Sequence, residues 1–234
     1  MSNFFRYQLL RIWKAVLSVL LVLWGLLALF TYTAMAQYGP EICWFSVFRI
    51  LQILLPIAAA VPLSFWMEPF LSADSAEILH SLPDIHRSVF TSTSLFLLVL
   101  WFFGNALPLS CLRLTSACFP LGSAMLRFFA QCLFSQAVFF LSAVWFRSAL
   151  HGLETVFLLN GVMLLSLEIP ALTGTILQKV NIFDLFTYTA VNPFSLGKEL
   201  LITGISIALI AAGAFAFVHY YSPRSFSFRR KAEK

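Results

Sequence analysis

The chain has 234 residues, of which 60% are hydrophobic and 11% are charged, with a mean hydropathy of +0.89 and a formal net charge of +5. Soluble domains carry about 25% charged residues, so this composition excludes a water-soluble fold and makes lipid the solvent. Nucleic-acid binding is not expected, because the one basic cluster is residues 224–234, which is better explained as a cytoplasmic membrane anchor.

The N-terminal residues 1–14 mix large apolar side chains with Arg6, Arg11 and Lys14. This mixture predicts an amphipathic helix that lies on the inner membrane surface, with its cations near anionic lipid head groups. The apolar run that follows is longer than the core of a signal peptide, so we expect it to be retained as a membrane span.

Apolar runs of about 20 residues are long enough to cross the hydrocarbon as a helix. They predict an all-α integral membrane protein with a single domain, residues 1–234. Its six spans are expected at about 15–36, 44–67, 88–108, 121–146, 152–167 and 200–221. Two prolines, Pro56 and Pro62, should kink the second span, and Arg113 marks a short outer connection after the third.

A long semi-apolar segment, residues 168–199, separates the fifth and sixth spans. Pro170, Gly174 and Pro193 interrupt it, which favours short re-entrant or interfacial helices over a further span. The segment also begins with Glu168, which either is an intramembrane carboxylate with a functional role or reaches the interface.

The distribution of cations indicates which side each loop faces. With both termini inside, ten of the fifteen Lys and Arg residues fall on the inner side, as the positive-inside rule requires of a protein with a cytoplasmic N-terminus and C-terminus. Among the outer cations, Arg127 lies about two turns inside the fourth span. It is either a snorkelling residue or a functional charge that faces a pathway.

No pattern of catalytic or metal-binding residues stands out. His151 and Glu154 have the spacing of two metal ligands on a helix, but no third ligand lies nearby in sequence. Nucleotide-binding and hydrolase motifs are absent from the sequence, so we expect no catalytic residue, metal or cofactor. A disulfide among Cys43, Cys111 and Cys118 is compatible with the predicted topology.

The longest polar interval is residues 68–87, between the second and third spans. Ser72 or Asp74 can cap a short helix there, and Pro83 ends it. This helix would have an apolar edge formed by Ile78, Leu79 and Leu82. Two interpretations are open: a helix that docks into another protein, or a solvated loop with an incidental helical turn.

Four features in order resemble one known family. They are the basic N-terminus FFRYQLLRIWK, the loop AEILHSLPDIHRSVF, the outer segment 168–199 with its prolines, and the aromatic-then-basic tail. Together they resemble the permease subunits of ABC-2-type transporters. The likeness is one of architecture over nearly the whole chain, and only residues 74–87 approach a motif.

The resemblance implies a coupling helix that sits in a cleft of a separate ABC ATPase subunit, which binds the ATP. The coupling residues by position would be Ala76, Glu77, Ile78, Leu79, His80, Ser81, Leu82 and Pro83. It also implies a second permease copy or paralogue, export across a bacterial plasma membrane, and no enzymatic activity in this chain. Membrane anchoring is expected from Arg6, Arg11, Lys14, Arg229, Arg230 and Lys231.

Three other classes remain as alternatives. A secondary carrier predicts ionisable residues deep within several spans, whereas Arg127, Glu154 and Glu168 all fall toward span ends. A membrane-embedded enzyme predicts catalytic groups clustered at one depth. A membrane assembly or structural protein without an ATPase partner requires neither ionisable residues within the spans nor clustered catalytic groups.

Overall fold

The computed structural model of the chain describes residues 2–38, 43–71, 85–115, 121–167, 169, 181–183 and 196–220. Regular structure in this part of the chain is entirely helical. In chain order the elements are α1 (Ser2–Tyr38), α2 (Cys43–Leu71), α3 (Ile85–Trp101), a π-helical turn (Phe102–Ala106), α4 (Leu107–Thr115), α5 (Leu121–Phe146), α6 (Ala149–Leu167) and α7 (Leu196–Tyr220).

Among the described residues, six helical segments are long and apolar enough to cross a membrane. They are Leu9–Gln37, Ile53–Leu71, Val89–Cys111, Ala124–Phe146, Ala149–Ser166 and Gly197–Tyr220. Each overlaps one predicted span, and the third runs through α3, the π-helical turn and α4 without a gap. The predicted all-helical class with six helices of this kind is therefore confirmed.

The N-terminal segment differs from its prediction. The sequence predicts a separate surface helix over 1–14, but α1 is continuous and has neither a proline nor an early glycine to interrupt it. Ile12 is buried in an apolar cluster that includes residues of α2 and α5. Arg11 Nη2 donates to the carbonyl oxygen of Phe65 on α2 at 3.1 Å. The described helix thus has no break between this segment and the first span, and the surface location of residues 1–14 stays a prediction.

The third span also continues beyond its predicted end at Pro108, so that Arg113 lies in the last turn of α4 rather than in a connection. The π-helical turn accommodates the proline. In a π-helix each N–H bonds five residues back, as Leu107 does to the carbonyl of Phe102. Pro108 has no N–H for the carbonyl of Phe103, and Trp24 Nε1 of α1 donates to that oxygen instead, at 3.1 Å.

Helix α5 lies at the centre of the bundle and packs against α2, α6 and α7. Aromatic rings fill one half of the core: Phe90 of α3 makes edge contacts with Phe140 of α5 and Phe217 of α7, at 6.4 and 5.7 Å between centroids. The buried Trp66 of α2 stacks on Phe96 of α3 at 4.4 Å. These rings join α2, α3, α5 and α7 into one apolar cluster.

Contacts place both described ends of the chain at the same end of the bundle. Arg11 of α1 bonds to Phe65 near the end of α2. Phe65 in turn lines a groove together with Arg147, in the turn between α5 and α6. The guanidinium carbon of Arg147 lies 5.1 Å from the ring centroid of Tyr220, the last residue of α7. We refer to this end, defined by Phe65, Arg147 and Tyr220, as the Arg147 end.

The turn between α5 and α6 is formed by a Schellman motif. The N–H of Ser148 donates to the carbonyl of Ala143 at 3.0 Å and that of Arg147 to Val144 at 3.3 Å, which satisfies the last carbonyls of α5. Arg147 occupies the left-handed position, with φ of 56°. Ser148 then caps α6 by accepting from the N–H of His151 at 3.4 Å.

Glycine allows the close approach of α7 to α5. A Cβ at Gly213 would lie 2.7 Å from Phe140 Cδ1 and 3.3 Å from Leu141 Cα, whereas a Cβ at Gly204, on the same helix, would meet nothing within 4 Å. Because membrane helices gain little from hydrophobic attraction to one another, close packing at small residues contributes much of their association.

We therefore expect Gly213→Ala to destabilise the protein by about 1–3 kcal/mol, the usual cost of overpacking a tight core. The measurement is thermal unfolding of the purified protein in mild detergent. Gly204→Ala is the matched control and should be neutral or slightly stabilising, because alanine favours the helix. Equal effects of the two substitutions would contradict the packing described here.

The left-handed conformation of Arg147 yields a second prediction. Arg147→Gly and Arg147→Ala both remove the cation–π contact with Tyr220, but only glycine adopts positive φ without steric cost. The Gly variant should therefore be more stable than the Ala variant by about 1–2 kcal/mol in the same unfolding assay. An Ala variant at least as stable as the Gly variant would refute the assigned turn.

Candidate functional site

The most unusual feature within the spans is a buried ion pair between α5 and α7. Arg127 Nη1 lies 2.7 Å from Glu199 Oε1, and the two side chains are 2% and 1% exposed. Arg127 is in the second turn of the α5 span and Glu199 in the first turn of α7. A carboxylate in the first turn of a helix also interacts favourably with the N-terminal end of the helix dipole.

This position of Arg127 corrects its interpretation as a snorkelling residue. A snorkelling side chain reaches water at the interface, whereas Arg127 is enclosed by protein and paired with a carboxylate. Sequence reasoning missed the partner because the predicted sixth span begins at residue 200. The helix begins at Leu196 instead, so Lys198 and Glu199 are part of its first turn.

Polar side chains continue from Arg127 along one face of α5. Gln131 and Ser135 follow at intervals of four residues, which places them on the same face. Gln131 Nε2 donates to the carbonyl oxygen of Ile182, and Ser135 Oγ accepts from Asn160 Nδ2 of α6 at 3.5 Å. We call Arg127, Gln131 and Ser135 the polar ladder of α5, since each contacts a different element: α7, the segment 181–183 and α6.

The segment Asn181–Phe183 is buried between these helices. Asn181 Nδ2 donates to the carbonyl of Met163 at 2.7 Å and to Ser166 Oγ at 2.9 Å, near the end of α6. Its Oδ1 accepts from the N–H of Phe183 at 2.8 Å, which closes a local turn. The Asn181 side chain therefore binds the segment to the last turns of α6 and also stabilises the turn within the segment.

The level of this segment bears on the predicted re-entry of residues 168–199. Gln131, to which Ile182 bonds, lies within the spanning segment Ala124–Phe146. The three residues 181–183 thus lie beside α5 at the level of Gln131, where they form a turn. The re-entrant or interfacial helices predicted for this stretch lie outside the described residues, as does Glu168.

The arrangement is suited to holding elements together. It neutralises two opposite charges inside the bundle and connects four separate elements through hydrogen bonds. Two acceptor atoms, Glu199 Oε2 and Gln131 Oε1, are buried without a donor among the described residues. The groups in contact are a guanidinium, a carboxylate, amides and a hydroxyl, which together hold the helices to one another. Among these described groups there is no nucleophile activated by a base.

The remaining predicted site residues fall into two groups. Arg6, Arg11 and Lys14 are exposed on α1, and their contact with lipid head groups stays a prediction. The other predicted positions lie outside the described residues: Glu77, Ile78, Leu79, His80, Ser81, Leu82, Pro83, Arg229, Arg230 and Lys231.

Residues considered for metal binding or a disulfide are also placed in part. Among the described residues, no group of three or more His, Cys, Asp or Glu could hold a metal ion. Cys111 is an exposed free thiol and Cys132 a buried one, while the described side chains do not include those of Cys43 and Cys118.

Comparison of the chain with models of protein families, with curated proteins and with solved structures finds no match. The resemblance to ABC-2 permeases therefore continues to rest on the sequence features given above.

The ion pair predicts strong coupling between its partners. Arg127→Met or Glu199→Met alone should destabilise the protein by about 3–5 kcal/mol, because each leaves a buried charge without its partner. The double variant should be more stable than either single variant. The check is a double-mutant cycle on unfolding in detergent.

Glu154→Gln serves as the control for this cycle, since it removes an exposed carboxylate near the start of α6 and should change stability little. Additive effects of the two Met substitutions would refute a direct interaction between Arg127 and Glu199.

Proposed function

We propose that the chain is the membrane-spanning permease subunit of an ABC-2-type transporter that works as an exporter. In this proposal two permease copies, or a copy and a paralogue, form the substrate path, and a separate ABC ATPase subunit binds and hydrolyses the ATP. The chain itself is not an enzyme. Its six apolar helices support a role within the membrane.

The observation that carries the proposal is the common location of the segments that such a partner would contact. The first turns of α1, the end of α2, the α5–α6 turn and the end of α7 all lie at the Arg147 end. Phe90, near the start of α3, contacts Phe217 near the end of α7. Both ends of the polar interval 72–84 therefore emerge at the Arg147 end, where the interval can meet a cytoplasmic protein.

Charge supports the assignment of the Arg147 end to the cytoplasm. Arg6, Arg11, Lys14 and Arg147 lie on described elements at that end, and the sequence beyond Tyr220 adds five cations. The positive-inside rule favours the cytoplasm for such a surface. We accordingly propose a bacterial plasma membrane protein with both termini in the cytoplasm.

The shape of the Arg147 end is compatible with a docked partner. A groove of about 350 Å3 lies between the end of α2 and the α5–α6 turn. Its lining includes one acidic and one basic residue, Glu68 and Arg147, together with apolar side chains such as Leu71 and Leu150. An indented surface of this mixed character suits a transient, regulated contact with a soluble subunit.

The buried charges favour ATP-driven transport over a secondary carrier. Arg127 and Glu199 are paired with each other at 2.7 Å, so each charge is already neutralised by a protein partner. A carrier that couples to protons or ions uses ionisable groups that change partner during the cycle. The alternative function that the same fold allows is that of a membrane assembly protein.

The proposal predicts that Leu79→Asp and Leu82→Asp abolish association with the ATPase while membrane insertion is unchanged. A carboxylate in place of leucine at an apolar contact costs on the order of several kcal/mol if it is buried without a partner. The measurement is co-purification of the ATPase with tagged variants from native membranes.

Ser75→Asp is the matched control, because Ser75 is a polar residue that precedes the predicted coupling residues 76–83. It should retain the ATPase at wild-type yield. If the Leu variants also retain it, the docking role of residues 77–83 is wrong.

A further inference from the structure

A cavity of about 300 Å3 lies inside the bundle, between α1, α2, the region around the π-helical turn, and α5. It is distinct from the polar ladder, because α5 contributes Cys132 and Gln136 to its lining but none of the ladder residues. Its size is at the lower end of the range of small-molecule sites. Apolar side chains form most of its wall, and no charged residue contributes to the lining.

A few polar groups converge on this apolar space. Trp101, at the end of α3, lines the cavity, and its buried Nε1 has no acceptor among the described residues. Asn105 of the π-helical turn and Gln136 of α5 are buried amides in the same wall, 5% and 7% exposed. A buried N–H group without an acceptor is uncommon in folded proteins and calls for an explanation.

The amides have hydrogen-bonding capacity beyond their contacts within the protein. Asn105 Oδ1 lies 3.5 Å from Cys132 Sγ, and Gln136 Nε2 makes a long bond of 3.4 Å to the carbonyl of Ala59. Each amide carries two N–H groups and an oxygen with two lone pairs. Both can therefore accept from, or donate to, a further group.

Helix α2 adds a backbone acceptor to the cavity wall. Pro62 has no N–H, so the carbonyl of Ala58, four residues earlier, loses its regular helical donor. Ala58 and Pro62 both line the cavity. The wall thus combines a donor without an acceptor, Trp101 Nε1, with a carbonyl that lacks its usual donor.

The cavity has a route to the surrounding lipid. Leu98 of α3 belongs to its lining and is 62% exposed, and Ser94, one turn earlier, is also exposed. Both residues lie within the spanning segment Val89–Cys111. A molecule that enters here comes from the hydrocarbon of the membrane and must itself be largely apolar.

We propose that this cavity is a binding site for a neutral, mainly aliphatic molecule that carries a hydroxyl group. The chain of the molecule packs in the apolar part of the cavity, and its hydroxyl accepts from Trp101 Nε1 and donates to the amide or carbonyl oxygens nearby. A hydroxyl is favoured over a carbonyl because it both donates and accepts. The site goes beyond the proposed function, since it requires neither an ATPase nor a second copy.

The experiment is photolabelling of the full-length protein in lipid nanodiscs with a medium-chain primary alcohol that carries a diazirine on its chain. Mass spectrometry of peptides locates the adducts. We expect adducts on the peptides that contain Trp101–Asn105 and Phe129–Gln136. Excess unlabelled alcohol should compete for them, and the alkane of equal length should compete about tenfold less well, as the loss of one well-made hydrogen bond implies.

Trp101→Phe tests the donor directly, because it removes Nε1 and keeps an aromatic ring against Phe129. It should reduce labelling about tenfold, while Trp145→Phe, at the exposed end of α5, should leave it unchanged. The competition of alcohol and alkane with the photolabel uses the wild-type protein, so it tests the proposal even if Trp101→Phe fails to fold. Equal competition by alkane and alcohol, or adducts confined to other peptides, would overturn the proposal.

Discussion

The packing of α5 against α7 is the contact on which the rest of the bundle depends. At the Arg147 end, Gly213 lets the backbone of α7 approach Phe140 and Leu141. Toward the other end, Arg127 and Glu199 close the same interface with a buried ion pair. Lipid tails are as apolar as leucine, so close packing at a small residue and polar contacts decide how these helices associate.

Two sets of α5 side chains have different roles in this account. The polar ladder anchors α7, α6 and the segment 181–183, whereas Cys132 and Gln136 line the cavity shared with α1, α2 and α3. One central helix therefore connects the anchored segment between the fifth and sixth spans with the proposed ligand site. A shift of α5 would therefore affect both.

The sequence predicted the number and approximate positions of the spans because apolar length and scarcity of charge are strong one-dimensional signals. It predicted less well where helices start and stop. Glu199 was placed outside the sixth span, although the helix begins at Leu196. Its pairing with Arg127 depends on two segments 72 residues apart, and no local pattern reports such a contact. The bond from Trp24 of α1 to the carbonyl of Phe103, in the π-helical turn before Pro108, likewise joins distant parts of the sequence.

The central claim is that this bundle works with a separate ATPase. The most direct test is affinity purification of the tagged wild-type protein from its native membrane in mild detergent, with identification of the co-purifying chains and an ATP hydrolysis assay. The account predicts a stoichiometric ABC ATPase and ATP hydrolysis by the purified complex. A homo-oligomer that purifies without any nucleotide-binding chain would contradict it.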